Sequence, residues 1–311
     1  DRRRKWARET EREVDGWGGG GGEGRESEGS RESGMGERER GKRFFFFFFF
    51  QAEGGIRDQP RSRGLGDVYE GQAYDAQGRI MCNYLAERGD QNVKVGIIYQ
   101  DDDFGKDCMK GVKEGVASHG WEFVGAEPFQ RGSAPSFGPH LTSLRNKGAT
   151  HVFLGLVLET VHVLRMAEAV GYSPQFLGFA PASDPRIAQK AGTAAEGFIS
   201  NIYMIPPQHP EHPSAVLYRE LLQKYDSEHQ MGFYNFYGFA AAQVLVEGLH
   251  LAGADLTRDG LVEGMEKMKE FRGSPHPAIT YGPGDRAGGS KTIVLQVKDG
   301  TPTPVTRFVG E

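Results

Sequence analysis

The stretch VKVGIIYQDDDFGKDCMKGVKEGV, residues 93–116, decides the fold. Residues 93–99 form a short apolar run rich in β-branched side chains and end in the polar loop QDDD, the pattern of a parallel strand buried on both faces. Beyond the loop, Phe104, Cys108, Val112 and Val116 recur at a spacing of four, which places them along one side of a helix. The unit is strand, loop, helix.

Working outward, the unit repeats. Upstream, YDAQGRIMCNYLAERG reads as a helix with Ile80, Met81, Tyr84 and Leu85 on one face and Gly89 as its stop. Downstream, residues 121–129, 150–157, 175–180 and 196–204 read as strands, and 137–148, 158–171 and 184–192 as the helices between them. Asp184 and Pro185 supply an N-cap and a first helical position. Strands alternating with helices of this length predict an α/β fold with a doubly wound parallel sheet.

After Pro206 and Pro207 the texture changes. Residues 213–229 read as an amphipathic helix, 233–253 as a long and mostly apolar one, 257–271 as a third, and 277–300 as a hairpin-like ending. The apolar helices need more covering surface than a five-stranded lobe offers. The expected organisation is therefore a low-complexity segment at 1–71, an α/β ligand-binding lobe at 72–206, and at 207–311 helices that return to another lobe, with closing strands.

The segment before Gln72 is of another kind. Residues 1–43 mix Arg, Lys, Glu and Gly without any apolar period, and seven phenylalanines, Phe44 to Phe50, follow. Such a composition does not repay the entropy of ordering, so disorder is expected. Its residues are those of purine-rich codons, and poly-Phe is what a T-rich tract encodes, so translated simple-repeat DNA is one reading. A secretory signal starting at Met35 is another, disfavoured by a seven-residue apolar core and the lack of an A-x-A cleavage site. The glycines of GWGGGGGEG match a dinucleotide fingerprint only through glycine richness, with no strand before them.

Composition narrows the function. The formal net charge is −5, with no basic stripe after residue 72, which argues against nucleic acid as a partner. Cys82 and Cys108 lie in two different helices without a CxxC spacing, so neither a zinc site nor a disulfide is implied. Consecutive carboxylates at Asp101 to Asp103 invite a metal, but neighbouring side chains diverge and Asp before a helix caps it. His209 and His212 lie in a Pro-rich turn that breaks any helix able to align them. No HExxH, GxSxG or P-loop occurs, so no catalytic constellation, metal or cofactor is expected. Ligands of open parallel sheets bind beyond the carboxyl ends of the strands, which nominates residues 100–105, 155–159 and 178–183. Aromatics at those loops and at the start of the long apolar helix suit the apolar wall of a small-molecule pocket.

Taken together, VKVGIIYQDDDFGKDCMKGVKEGV, THVFLGL, AEAVGYSPQFLG, AGTAAEGFIS, YGFAAAQVLVEGL and ITYGPGDRAGGSKTIVLQVKDG resemble the type I periplasmic binding proteins that serve branched-chain amino acid and related ABC importers. The resemblance covers roughly 72–305 in family order. It implies a two-lobed, non-enzymatic protein outside the cytoplasm that closes on a small ligand and delivers it to permease subunits. By the same resemblance Phe104 is the aromatic that packs on the ligand, and Asp102, Leu156, Phe179 and Tyr234 are further ligand-binding candidates by position.

Two departures from the family accompany the resemblance. The family's first lobe has no counterpart before Gln72, so a truncated binding protein is expected, with a non-functional gene fragment or a ligand-sensor domain as alternatives. After the strand at 175–180, amino-acid binders of the family place an acidic residue against the ligand ammonium, whereas this chain has Phe179-Ala180-Pro181. A buried ammonium without a counter-charge costs several kcal/mol, which favours an aliphatic or aromatic carboxylate over leucine itself.

Overall fold

The structure, a computed structural model, describes residues 73–310 apart from 131–135, 255, 284, 286–287 and 290. The low-complexity segment, its poly-Phe run and the signal reading at Met35 lie outside the described residues.

The chain enters through helix α1 (Tyr74–Arg88), then alternates β1 (Lys94–Gln100), α2 (Asp103–Ser118), β2 (Glu122–Phe129), α3 (Gly138–Asn146), β3 (His151–Gly155), α4 (Thr160–Ala169) and β4 (Gln175–Gly178). A 3-10 turn (Ala180–Ser183), α5 (Pro185–Ala191) and β5 (Ile199–Ile202) complete the alternating part. Helices α6 (Pro213–Tyr225), α7 (Phe233–Ala252) and α8 (Arg258–Glu266) follow, then β6 (Ile293–Lys298) and β7 (Thr301–Pro304).

The strands form one seven-stranded sheet in the order β2-β1-β3-β4-β5-β6-β7. The first five run parallel, and β6 and β7 join antiparallel at the β5 edge. The expected α/β fold with a doubly wound sheet is what forms. Strand order reverses between β1 and β3, which makes the carboxyl ends of those two strands the natural crevice.

The sheet separates two apolar layers. Side chains alternate in direction along a strand, so Val95, Ile97, Phe153, Leu177, Ile199 and Val294 meet α1 and α2 on one face. Ile98, Val152, Leu154, Phe176 and Val297 meet α3, α4 and α5 on the other. Both faces of β3 are fully covered, and all five of its residues are buried, which is why its sequence reads as a continuous apolar run.

Helices α1 and α2 lie unusually close because glycines face each other between them. A Cβ at Gly111 would stand 2.0 Å from the Asp75 carbonyl oxygen, and one at Gly115 would stand 2.7 Å from Cys82 Sγ. Cys82 and Cys108 are both free and buried, as the two-helix reading predicts. Burial pushes the Cys82 thiol up to about 12, so it is a packing residue and not a nucleophile.

Several elements are shorter than their sequence patterns. The run 175–180 ends as a strand at Gly178, where the chain turns into the 3-10 segment. The run 196–204 is a strand only over Ile199–Ile202, with Gly197 at a positive φ of 77° before it. The hairpin lies later than expected, between β6 and β7, and turns on Asp299 and Gly300, with φ of 50° and 72°. Both central residues at positive φ are what a two-residue hairpin of this hand requires, and Asp-Gly meets that demand.

Helix α7 is apolar around most of its circumference. It buries Phe233, Phe236, Ala240, Val244 and Gly248, while Val246 and Leu249 stay exposed. The first two and Ala240 pack with Ile202, Tyr203, Met204 and Tyr218, and Val244 packs with Met265 of α8 and with Met268 and Tyr281 beyond it.

Candidate ligand site

The loops at the carboxyl ends of β1, β3 and β4 place the expected residues as follows. Asp102 is the N-cap of α2: its carboxylate accepts the Gly105 N–H at 3.1 Å and the Gln100 Nε2–H at 3.0 Å. Its neighbour Asp101 pairs with Lys106 at 3.1 Å and accepts from Gln130 Nε2 at 2.9 Å. The Asp101 and Asp102 carboxylates are thus engaged with different partners, and among the described residues no group of three or more His, Cys, Asp or Glu is arranged to hold a metal ion.

Three of the aromatics converge. Phe104, on the first turn of α2, sets its ring edge-to-face against Tyr74 at 4.6 Å between centroids. Tyr74 in turn meets Phe179 edge-to-face at 6.5 Å, and Phe179 meets Phe153 at 6.3 Å. Such pairs are worth about 0.5–1.5 kcal/mol each beyond the area they bury. Phe179 is fully buried beneath the others, whereas Tyr74 and Phe104 keep part of their surface.

Burial raises the Tyr74 phenol above its ordinary range, and Cys108, Tyr237 and Tyr234 add to the shift. Tyr234 also packs edge-to-face on Phe233 at 5.2 Å. The structure thus brings Phe104 and Phe179 against Tyr74, a residue the sequence reading treated only as the opening of a helix, whereas Tyr234 packs in the separate cluster at the start of α7. Tyr237, one turn along α7 from Phe233, stacks parallel to that ring at 6.1 Å.

Leu156 lies apart. It follows Val152 and Leu154 by the two-residue alternation of β3, so it points into the layer under α4 and is fully buried among Leu154, Val161 and Leu164. The aromatic group occupies the opposite layer, where Phe153 points. Position at a strand end nominated Leu156, but the parity of the strand decides which face a side chain serves.

The loop after β4 does carry an acidic residue, four positions beyond Ala180. Asp184 is almost wholly buried and accepts Arg186 N–H at 2.9 Å, Arg186 Nε–H at 2.8 Å and Nη2–H at 2.9 Å. A fourth hydrogen bond comes from the Phe233 N–H at 2.9 Å. Burial works against its ionisation, but the Arg186 guanidinium and the two backbone N–H groups outweigh it and hold the carboxyl below its usual range. Asp184 is thus an acceptor already engaged at two helix N-termini.

A separate cleft lies at the amino ends of β4 and β5, lined by Leu164, Gln175, Phe176, Glu196 and Phe198 among others. It sits at the opposite end of the strands from the aromatic group and contains none of the expected site residues.

Comparison with known proteins agrees with this architecture. A family model described as periplasmic binding protein matches residues 48–302, so the match begins before the boundary at Gln72. Among solved structures, a branched chain amino acid ABC transporter protein from Thermus thermophilus with bound valine superposes with a TM-score of 0.71 at 21% identity, over 78% of this chain and 67% of that one. A substrate-binding periplasmic protein from Ralstonia solanacearum gives 0.67 at 22% identity, over 75% and 67%. A fatty acid ABC transporter substrate-binding protein from Thermomonospora curvata gives 0.69 at 19% identity, over 78% and 64%. The chain spans about two thirds of the length of these proteins. No curated protein matches the sequence.

Proposed function

The chain belongs to the periplasmic binding protein family, and from that premise we propose that it is the solute-binding component of an ABC importer. Its ligand in this reading is a small amino-acid-like or carboxylate molecule, held outside the cytoplasm and handed to membrane permease subunits without a chemical step. Among the described residues no helix is long and apolar enough to cross a membrane. Closure of the protein over the ligand is the form of recognition the family implies.

The observation that carries this reading is the aromatic group Tyr74, Phe104 and Phe179 at the carboxyl end of the sheet. It offers an apolar wall where open parallel sheets bind ligands. The nearby carboxylate supports the choice of ligand: Asp184 is engaged by Arg186 and by two backbone donors. An α-ammonium would need that counter-charge, so a ligand without one, such as an aliphatic or aromatic carboxylate, suits the site better.

Thermal unfolding of the full chain, titrated with amino acids, aromatic acids and fatty acids, tests the proposal. A ligand of the native state stabilises by about 2.7 kcal/mol at a hundred times its Kd, so a concentration-dependent rise in Tm for one class is expected. A flat response to every class would overturn it.

A further inference from the structure

Asn201 is fully buried in β5, and neither its Nδ2 nor its Oδ1 has a hydrogen-bond partner. Buried polar groups in folded proteins are almost always paired, and leaving one unpaired costs about 1–3 kcal/mol. A leucine has nearly the same shape and would avoid that cost. Two orphan atoms on one side chain therefore call for a group that is not part of the fold.

Its position says what that group meets. Ile199 pairs in register with Leu177 across β4 and β5, so two residues further on Asn201 stands level with Phe179 on the same face of the sheet. On its other side Asn201 pairs with Val294, which shares a packed layer with Phe179 and Ile199. Over this point lies α1, joined to the β4 loop where the Ala180 N–H donates to Gln77 Oε1 at 3.1 Å. Tyr74 is one turn before Gln77 on that helix. Asn201 thus lies beside the aromatic group, at the carboxyl end of β5.

The chemistry of the orphan atoms selects a ligand class. A carboxamide offers donors and an acceptor together, so a partner must both accept and donate. The residues that register sets beside it, Phe179, Ile199 and Val294, are apolar, and a buried charged group needs an opposite charge beside it. Arg186 is the cation nearest in the chain after β4, and it is spent on Asp184.

We propose that Asn201 is a specificity residue of the ligand site and that it takes an uncharged donor–acceptor group, a primary amide or a hydroxyl, at the apolar end of the ligand. This rests on the solute-binding reading and narrows its ligand class: the carboxylate, if present, lies at the ligand's other end.

Three probes of equal shape test it on the full chain: 4-carbamoylbutanoate, glutarate and 5-methylhexanoate, which differ only in carrying an amide, a carboxylate or an isopropyl group. Isothermal titration is expected to give the amide at least tenfold tighter than either of the others. Asn201→Leu should weaken the amide at least tenfold, leave 5-methylhexanoate within twofold, and raise Tm in the absence of ligand. Should Asn201→Leu fold poorly, Asn201→Thr keeps a hydroxyl, and an intermediate amide preference is expected. Equal affinity for the three probes, or an amide affinity indifferent to residue 201, overturns this inference and assigns the orphan atoms to buried water only. If no probe and no member of the wider acid and amino-acid panel binds, the solute-binding reading falls and this inference with it.

Discussion

The carboxylate of Asp184 accepts the backbone N–H of Phe233 at 2.9 Å, across 49 positions of sequence. The same carboxylate caps α5 through Arg186 N–H at 2.9 Å, so one side chain ties the loop after β4 to the first residue of α7. Tyr234, a ligand-site candidate by position, is next in the chain, and its placement follows from this tie. Asp184→Ala is expected to lower unfolding stability by roughly 1–3 kcal/mol, since it removes two helix caps and a charge-assisted pair to the half-exposed Arg186. The Asp184 pKa lies below that of the unfolded chain. Its stabilisation is therefore complete above about pH 4 and lost as the pH falls through the folded value. Urea unfolding at pH 7 and at successively lower pH measures both effects, with the difference between wild type and variant narrowing once the pH falls below about 4.

The close approach of α1 and α2 gives a second expectation. At Gly111 an added methyl group would meet the Asp75 carbonyl oxygen at 2.0 Å, and that obstacle is backbone, which cannot rotate away. Gly111→Ala should therefore destabilise by about 1–3 kcal/mol, the usual cost of overpacking, although alanine is the better helix former by about 1 kcal/mol. A urea midpoint at or above that of the wild type would contradict the packing.

How much of this was legible in the sequence differs by the range of the interaction. The central strands could be read because residues 95–98, 151–156 and 176–180 are buried, which leaves nearly continuous apolar runs in the sequence. The N-cap at Asp184 is a local pattern and was legible too, but its bond to Phe233 depends on where α7 comes to rest. Phe104 and Phe179 stood out as aromatics at strand ends. Tyr74 did not, because its role comes from α1 lying over the sheet, which no local pattern encodes. Leu156 shows a different limit: the strand-end rule ignores face, and counting alternation from Phe153 would have placed it in the other layer. Asn201 sits inside an apolar strand pattern, where a lone amide is invisible until its missing partners are seen.

His276 predicts an acid-sensitive step at milder pH. It is buried, stacks on Tyr203 at 6.0 Å and shares a 3.3 Å contact with Ser274 Oγ through Nδ1. Burial pushes its imidazole down to about 4 from the ordinary 6.5. The unfolded chain binds the proton more readily, so stability is complete above pH 6.5 and declines as the pH falls toward 4. The full loss amounts to roughly 3 kcal/mol. His276→Gln, which keeps a polar side chain but does not titrate there, should flatten Tm against pH across that window. A smaller slope remains from His212, whose imidazole is lowered by burial and by His209. An unchanged slope in the variant would show that His276 titrates normally in the fold.

The last expectation separates wall from core among the candidate residues. Phe104 keeps part of its surface and is held by an edge-to-face contact with Tyr74 at 4.6 Å, whereas Leu156 is fully buried in the opposite layer. Phe104→Leu retains apolar volume but loses the ring, so it should weaken a bound carboxylate roughly three- to tenfold, the equivalent of one aromatic contact of about 0.5–1.5 kcal/mol. Its cost in stability should stay below about 1.5 kcal/mol, as for other swaps that keep most of the volume. Leu156→Ala opens a cavity and should lose about 2–5 kcal/mol of stability, while ligand affinity per folded molecule stays near the wild-type value. Ligand titration followed by thermal unfolding of both variants distinguishes the two effects. The reverse result, affinity lost at Leu156 and unchanged at Phe104, would move the ligand to the face of the sheet under α4.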